Sequence, residues 1–155
     1  MSNWIYKPNE GLGIDVLSID NLPNHEEAVG FVYKITNTVT GRFYIGRKNL
    51  YSERKTKISN REKTQTKTRK TFKRVVKESN WKTYYGSNKH LKADVEKHGE
   101  GLFTREILHL CKTRGECAYL EAKEQFDRGV LLTDDYYNGI IQIKLGGNAI
   151  KTLYK

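Results

Sequence analysis

The chain has 155 residues, of which 37% are apolar and 30% charged, a composition that supports one domain around a modest core. No run approaches the ~18 apolar residues that a membrane helix needs, and the opening MSNWIYKPNEGL has no apolar signal core. The formal charge of +10 is concentrated: thirteen Lys/Arg fall between Arg47 and Lys77, against Glu53 and Glu62 alone. Such a patch is the electrostatic footprint of a polyanion partner; a solvated, solubilising loop is the plain alternative.

In chain order, residues 1–29 hold both prolines and little periodicity, and read as an N-terminal arm with one short strand at GIDVLSI. FVYKIT and RFYIG are strands by β propensity, and NTVTG between them supplies turn residues. Residues 52–78 are dominated by Lys, Arg, Thr and Ser and read as a mobile basic loop. NKHLKADVEKHGE reads as a helix with Leu91 and Val95 on one face and Gly99 as its stop. LFTREILHLC is a strand. TRGECAYLEAKEQFDRG is the best-marked helix, opened by a Thr113/Glu116 capping pattern and closed by Gly129. A tyrosine-rich turn, DYYN, precedes a last short strand at IIQIKL, and residues 146–155 form a tail. The order predicts an α/β (α+β) sandwich: a small mixed or antiparallel sheet of three to four strands flanked by helices, over residues 30–145.

Pairing Tyr33 opposite Tyr44 gathers Val32, Phe43 and Ile45 on one face for the core and leaves both phenols on the other. Taken alone, such a pair is as well explained by cross-strand packing. Cys111 and Cys117 suggest neither a disulfide framework nor a zinc site, so a reducing, cytoplasmic setting is expected. His90 and His98 share a face of their helix, but nothing around them resembles a metal-binding ββα unit.

Phe-Val-Tyr at 31–33, ten residues, then Tyr-Ile-Gly at 44–46 resembles the GIY-YIG signature of a nuclease family. Further elements follow in the family's order. An arginine ten residues past the second tyrosine is Arg54, on a helix in the family. A carboxylate on the helix after the third strand is Glu121, and a late asparagine behind a tyrosine is Asn138. The similarity spans about residues 30–145 and extends in general look to small phage-encoded members, which implies a host-cell cytoplasm. Phe31 and Val32 replace the motif's Gly and Ile, and Tyr85-Gly86-Ser87 stands where many members carry a histidine. No separate recognition domain is expected, so the basic loop and the arm are the candidates for target selection.

The resemblance implies a metal-dependent DNA endonuclease with a catalytic set of Tyr33, Tyr44, Arg54, Glu121 and Asn138. Glu121 would ligate Mg²⁺ (or Mn²⁺), which accepts one carboxylate and several waters. A tyrosine would orient or deprotonate the attacking water; because a free phenol has a pKa near ~10, the latter needs a nearby cation, Arg47 or Arg54. Asn138 would lock the geometry by hydrogen bonding. Arg47, Lys48, Lys55, Arg69, Lys70, Lys73 and Arg74 are the expected DNA contacts. One site cuts one strand, so double-strand cleavage needs a homodimer or two events. The alternatives are a non-catalytic nucleic-acid-binding protein, and a PD-(D/E)xK enzyme through Glu121-Ala122-Lys123, a motif that belongs on a strand rather than a helix.

Overall fold

A computed structural model describes residues 2–7 and 13–153; residues 1 and 8–12 of the expected arm and 154–155 of the tail lie outside them. The secondary structure runs β1 (Trp4–Tyr6), β2 (Ile14–Val16), β3 (Gly30–Asn37), β4 (Phe43–Asn49), β5 (Tyr51–Lys57), α1 (Asn60–Thr66), β6 (Phe72–Glu78), α2 (Lys89–His98), β7 (Phe103–Cys111) and α3 (Arg114–Asp127). A five-stranded mixed sheet, in the order β2-β1-β7-β3-β4, is flanked by helices, and β5 pairs with β6 in a separate two-stranded sheet. The expected α/β class holds, with more strands than predicted. The N-terminal residues account for two of them: β1 runs parallel to β7 and carries Trp4 into the core.

The β3–β4 hairpin pairs Tyr33 with Gly46 and Ile35 with Tyr44, so the predicted Tyr33–Tyr44 register is off by two residues. An even shift preserves the face, and the two phenols do share one, with ring centroids 6.1 Å apart. Gly46 explains the register. A Cβ on it would sit 2.5 Å from the Tyr33 hydroxyl oxygen and 2.9 Å from Tyr44 Cε1, so only glycine fits opposite Tyr33. The phenol face, which the sequence sets opposite the apolar one, is itself part of the core. Tyr33 belongs to the larger apolar cluster with Trp4, Phe31, Ile35, Trp81 and Leu91, while Val32 and Ile45 pack beneath α3 with Cys117 and Val130. Both faces of the sheet are buried.

A bulge in β7 decides which side chains reach α3. Val32 pairs with His109 but Tyr33 with Ile107, which leaves Leu108 unpaired. Before the bulge, Phe103 and Ile107 join the Tyr33 cluster; after it, Cys111 joins the α3 side. His109 thereby meets α3, where its Nε2 lies 2.8 Å from Glu124 Oε1 while Arg128 Nε donates to Glu124 Oε2 at 2.8 Å. Burial would raise the Glu124 carboxyl, but hydrogen bonds from Arg128 and His109 outweigh it and hold the group below the usual range. Thr113 caps α3 as expected, accepting from the Glu116 amide at 3.0 Å. Glu116, instead of closing the capping box, accepts from the Thr152 hydroxyl and ties the tail to the helix.

Two expectations are corrected. The basic segment is a β-α-β unit, not a loop: its strands pair residue by residue from Tyr51↔Glu78 to Lys57↔Phe72, and Ser59 caps α1. IIQIKL is not a strand; the preceding residues 135–138 lie along the free edge of β4 instead.

Replacing Gly46 by Ala overpacks a site whose Tyr33 ring cannot retreat, so a loss of about 1–3 kcal/mol is expected in urea unfolding. An unchanged midpoint would refute the steric assignment. For Glu124→Gln the cost is about 1 kcal/mol near neutral pH. Because the folded-state carboxyl is depressed, that stability exists above the unfolded carboxylate pKa and is lost as pH falls through the folded one. The difference from the parent should therefore shrink towards pH 3; a pH-independent gap would contradict this.

Candidate active site

The edge strand β4 brings two faces together within four residues. Tyr44 projects toward the aromatic core, Arg47 emerges on the α3 side, and the main chain of Ile45 lies between them. That main chain is fully paired although no strand lies along the outer edge of β4. Asn138 accepts from the Ile45 amide at 3.0 Å and donates to the Ile45 carbonyl at 2.8 Å, and Gln125 Nε2 donates to the same carbonyl at 3.1 Å. Upstream, the Phe43 amide donates to Asp135 and the Tyr137 amide to Phe43. The segment 135–138 thus runs along β4 as a short partner and then substitutes an amide side chain for backbone, which also shields the edge.

Around this edge lies an open polar cleft of about 310 Å³, lined by Tyr44, Arg47, Ser87, Glu121, Gln125 and Asn138 among others. Glu121 reaches it from α3. Its side chain is 17% exposed, and its Oε1 lies 3.8 Å from Arg47 Nε. That separation is an ion pair but too long for a good hydrogen bond, so the two charges remain open to a third group. Burial pushes the Glu121 carboxyl above the usual carboxylate range, and Arg47 opposes the shift. The Tyr44 and Ser87 hydroxyls are 3.2 Å apart. Ser87 is placed by its neighbour Asn88, which caps α2 through the His90 and Leu91 amides and donates to the Tyr137 carbonyl.

The two phenols differ. Tyr33 is 1% exposed and sits beneath the cleft against Tyr44 and Tyr84. Burial first, then Tyr84 and Tyr44, raise its pKa well above the ordinary value. Burial also raises that of Tyr44, although the Ser87 hydrogen bond works the other way. Burial, the largest influence on both rings, disfavours phenolate at each, so the protein surroundings favour the neutral hydroxyl.

Of the sequence candidates, Tyr44, Glu121 and Asn138 share the cleft and Tyr33 supports it from below. Arg54 lies on strand β5, not on a helix, in a separate cleft with Lys55, Arg74 and Arg114. The guanidinium beside Glu121 is that of Arg47, which the sequence marked as a DNA contact and as a possible cation beside a tyrosine, not as the partner of the acid. Lys48 is pinned, donating to Asn80 at 2.7 Å with its ammonium 4.1 Å from the Tyr84 ring centre. Lys55, Lys73 and Arg74 are exposed on the ribbon, and Arg69 and Lys70 in the connection before β6. Gln125 was missed, although one helical turn past Glu121 is a readable signal. Ser87 was named only as part of the Tyr85-Gly86-Ser87 run that replaces a family histidine, and Asn88 only as the first residue of the expected helix.

Among the described residues no group of three or more His, Cys, Asp or Glu gathers to cage a metal. A lone carboxylate on an open polar cleft, with hydroxyl and amide oxygens beside it, fits a hard ion that retains waters, as Mg²⁺ does. It does not fit zinc or a calcium cage. Glu121-Ala122-Lys123 lies within α3, away from the strand setting that a PD-(D/E)xK site requires. No helix among the described residues is long and apolar enough to cross a membrane.

Comparison with curated proteins and with solved structures returns no match. The family model described as "Putative endonuclease segE, GIY-YIG domain" matches residues 19–141. That match covers both tyrosine motifs, the whole ribbon, α3 and Asn138, and with it the chain belongs to the GIY-YIG nuclease family.

Proposed function

We propose that the protein is a metal-dependent endonuclease that hydrolyses DNA phosphodiesters in the cleft between β4 and α3. The observation that carries this reading is the convergence of Glu121, Arg47 and the Tyr44 hydroxyl on one polar cleft beside a main chain clamped by Asn138.

Glu121 would hold the divalent ion, Mg²⁺ or Mn²⁺, whose chemistry there is to offset charge on the phosphate and the leaving oxygen. Arg47 would grip a non-bridging phosphate oxygen; its exposed guanidinium stands beside the acid without being locked to it. Tyr44, held neutral, would orient the attacking water or donate to the phosphate rather than act as a strong base. Ser87, 3.2 Å away, would fix the direction of that hydroxyl. Tyr33 would act through Tyr44, by holding its ring in place. Asn138 and Gln125 would keep β4 at a constant distance from α3. Arg54 would serve as a phosphate contact on the ribbon. The free, buried Cys111 and Cys117 suit a reducing cytoplasm. With one cleft per chain, cutting both strands calls for two copies or two successive events.

Supercoiled plasmid with Mg²⁺ tests the reading directly. The parent protein should convert it to nicked or linear forms, and chelator should abolish conversion. Glu121→Ala should lower the rate by at least about 100-fold, as expected for loss of a group acting on transition-state charge. Tyr44→Phe should lose about as much and Tyr33→Phe no more than about tenfold, because only the former reaches the reacting groups. Equal rates in parent, Glu121→Ala and chelated samples would overturn the assignment.

A further inference from the structure

The β5–β6 ribbon has a design that its own packing does not explain. Apart from Tyr51, none of the side chains of its two strands joins either apolar cluster among the described residues. A lone two-stranded ribbon is marginally stable in water. This one also exposes Phe72 and Val76, at 54% and 58%. Its register sets Lys55 directly opposite Arg74, and like charges facing across a ladder destabilise it. From Tyr51 to Glu78 there are eleven Lys/Arg against Glu53, Glu62 and Glu78. Each of these costs falls away if a polyanion with apolar patches covers the ribbon.

The ribbon is also fixed relative to the cleft. It follows β4 through Leu50, which is fully buried. At its base the Ser79 hydroxyl donates to Asn49 at 2.6 Å and the Ser79 amide to Leu50 at 2.8 Å. Clefts join the two regions. Arg47 lines both the Glu121 cleft and a second one running past Ser52 and Glu53, and Arg114 lines that second cleft and the one holding Arg54 and Arg74. A basic track therefore leads from Glu121 to the ribbon.

Resting on the DNA-cleaving reading above, we propose that the ribbon is the target-selecting element: it lies in the major groove of duplex DNA to one side of the scissile phosphate, and so sets the cut at a fixed offset from the sequence it reads. A two-stranded ribbon fits the ~12 Å major groove of B-form DNA. Seven-residue strands at ~3.3 Å per residue reach about 23 Å, roughly two-thirds of a helical turn. Lys55 and Arg74 match guanine acceptors, and Phe72 and Val76 match thymine methyl groups. The deep, narrow groove of A-form RNA would not admit it.

The experiment uses full-length Glu121→Gln protein, so that binding is read without cleavage, and a pool of random-sequence DNA duplexes. Bound duplexes should enrich a motif of several base pairs. Methylating guanine N7 within that motif should weaken binding about fivefold or more, because the added methyl occupies the major-groove edge. Carried on the same background, the pair Phe72→Ala with Val76→Thr, and separately Lys55→Gln with Arg74→Gln, should each cut enrichment about tenfold. Duplex RNA of the enriched sequence should bind far more weakly. No enriched motif, no methylation effect on the Glu121→Gln protein, an unchanged motif in the ribbon variants, or equal binding of duplex RNA would each overturn the proposal. Plasmid hydrolysis by the parent protein reports separately on the nuclease assignment.

Discussion

The main chain of Ile45 is the point on which the site depends. Its amide and carbonyl are claimed by Asn138 and Gln125, two side chains from different parts of the chain, on a strand edge with no neighbouring strand. Both partners are buried, so these bonds face little competition from water, and an unmet polar group there would be costly. Tyr44 and Arg47 flank this clamp on the same strand, and Glu121 stands one turn from Gln125 on α3. The spacing of Tyr44, Arg47 and Glu121 is thus held by contacts to the β4 main chain, the preorganisation that the proposed phosphodiester hydrolysis would need.

The aromatic packing beneath serves the same end. Tyr33 fills the space above Gly46 and abuts Trp4, Tyr44 and Tyr84. On the far side Arg105, also buried, lies against the rings of Trp4 and Tyr85 and donates to the carbonyls of Lys82, Tyr84 and Ser2. The loop that delivers Ser87 is anchored by this cation at one end and by Asn88 at the other. A neutral, tightly packed phenol layer under an open polar cleft separates rigidity from reactivity.

Much of this was legible in the amino-acid order, and the parts that were not have physical reasons. The shared face of Tyr33 and Tyr44 was readable because a strand's period of two survives an even slip in register. That the phenol face is buried as well was not, since the covering groups, Trp4 and Trp81, come from segments without periodicity. Thr113 marked α3, and Glu121 on it was picked out by the resemblance to the family's ordered motifs. The β7 bulge that turns His109 toward Glu124 falls at Ile107-Leu108, where two adjacent apolar residues hide the change of face. The ribbon read as a loop because period-two alternation is visible only when one face is apolar and buried, and neither face of this ribbon is. IIQIKL alternates like a strand, but the β4 edge it would join is taken by residues 135–138. Arg54 satisfied a spacing, whereas Arg47, three residues past Tyr44 and on the α3 side of β4, satisfies the geometry.

The central claim is that one cleft unites Tyr44, Arg47, Glu121 and Asn138 around a single divalent ion. Titrating isotopically labelled protein with paramagnetic Mn²⁺ and following amide signals by NMR tests it without DNA or turnover. The account predicts that broadening appears first at Tyr44–Arg47, Ser87–Asn88, Glu121–Gln125 and Asn138–Gln142, and disappears in Glu121→Gln. Broadening centred elsewhere, or unchanged by that substitution, would contradict it.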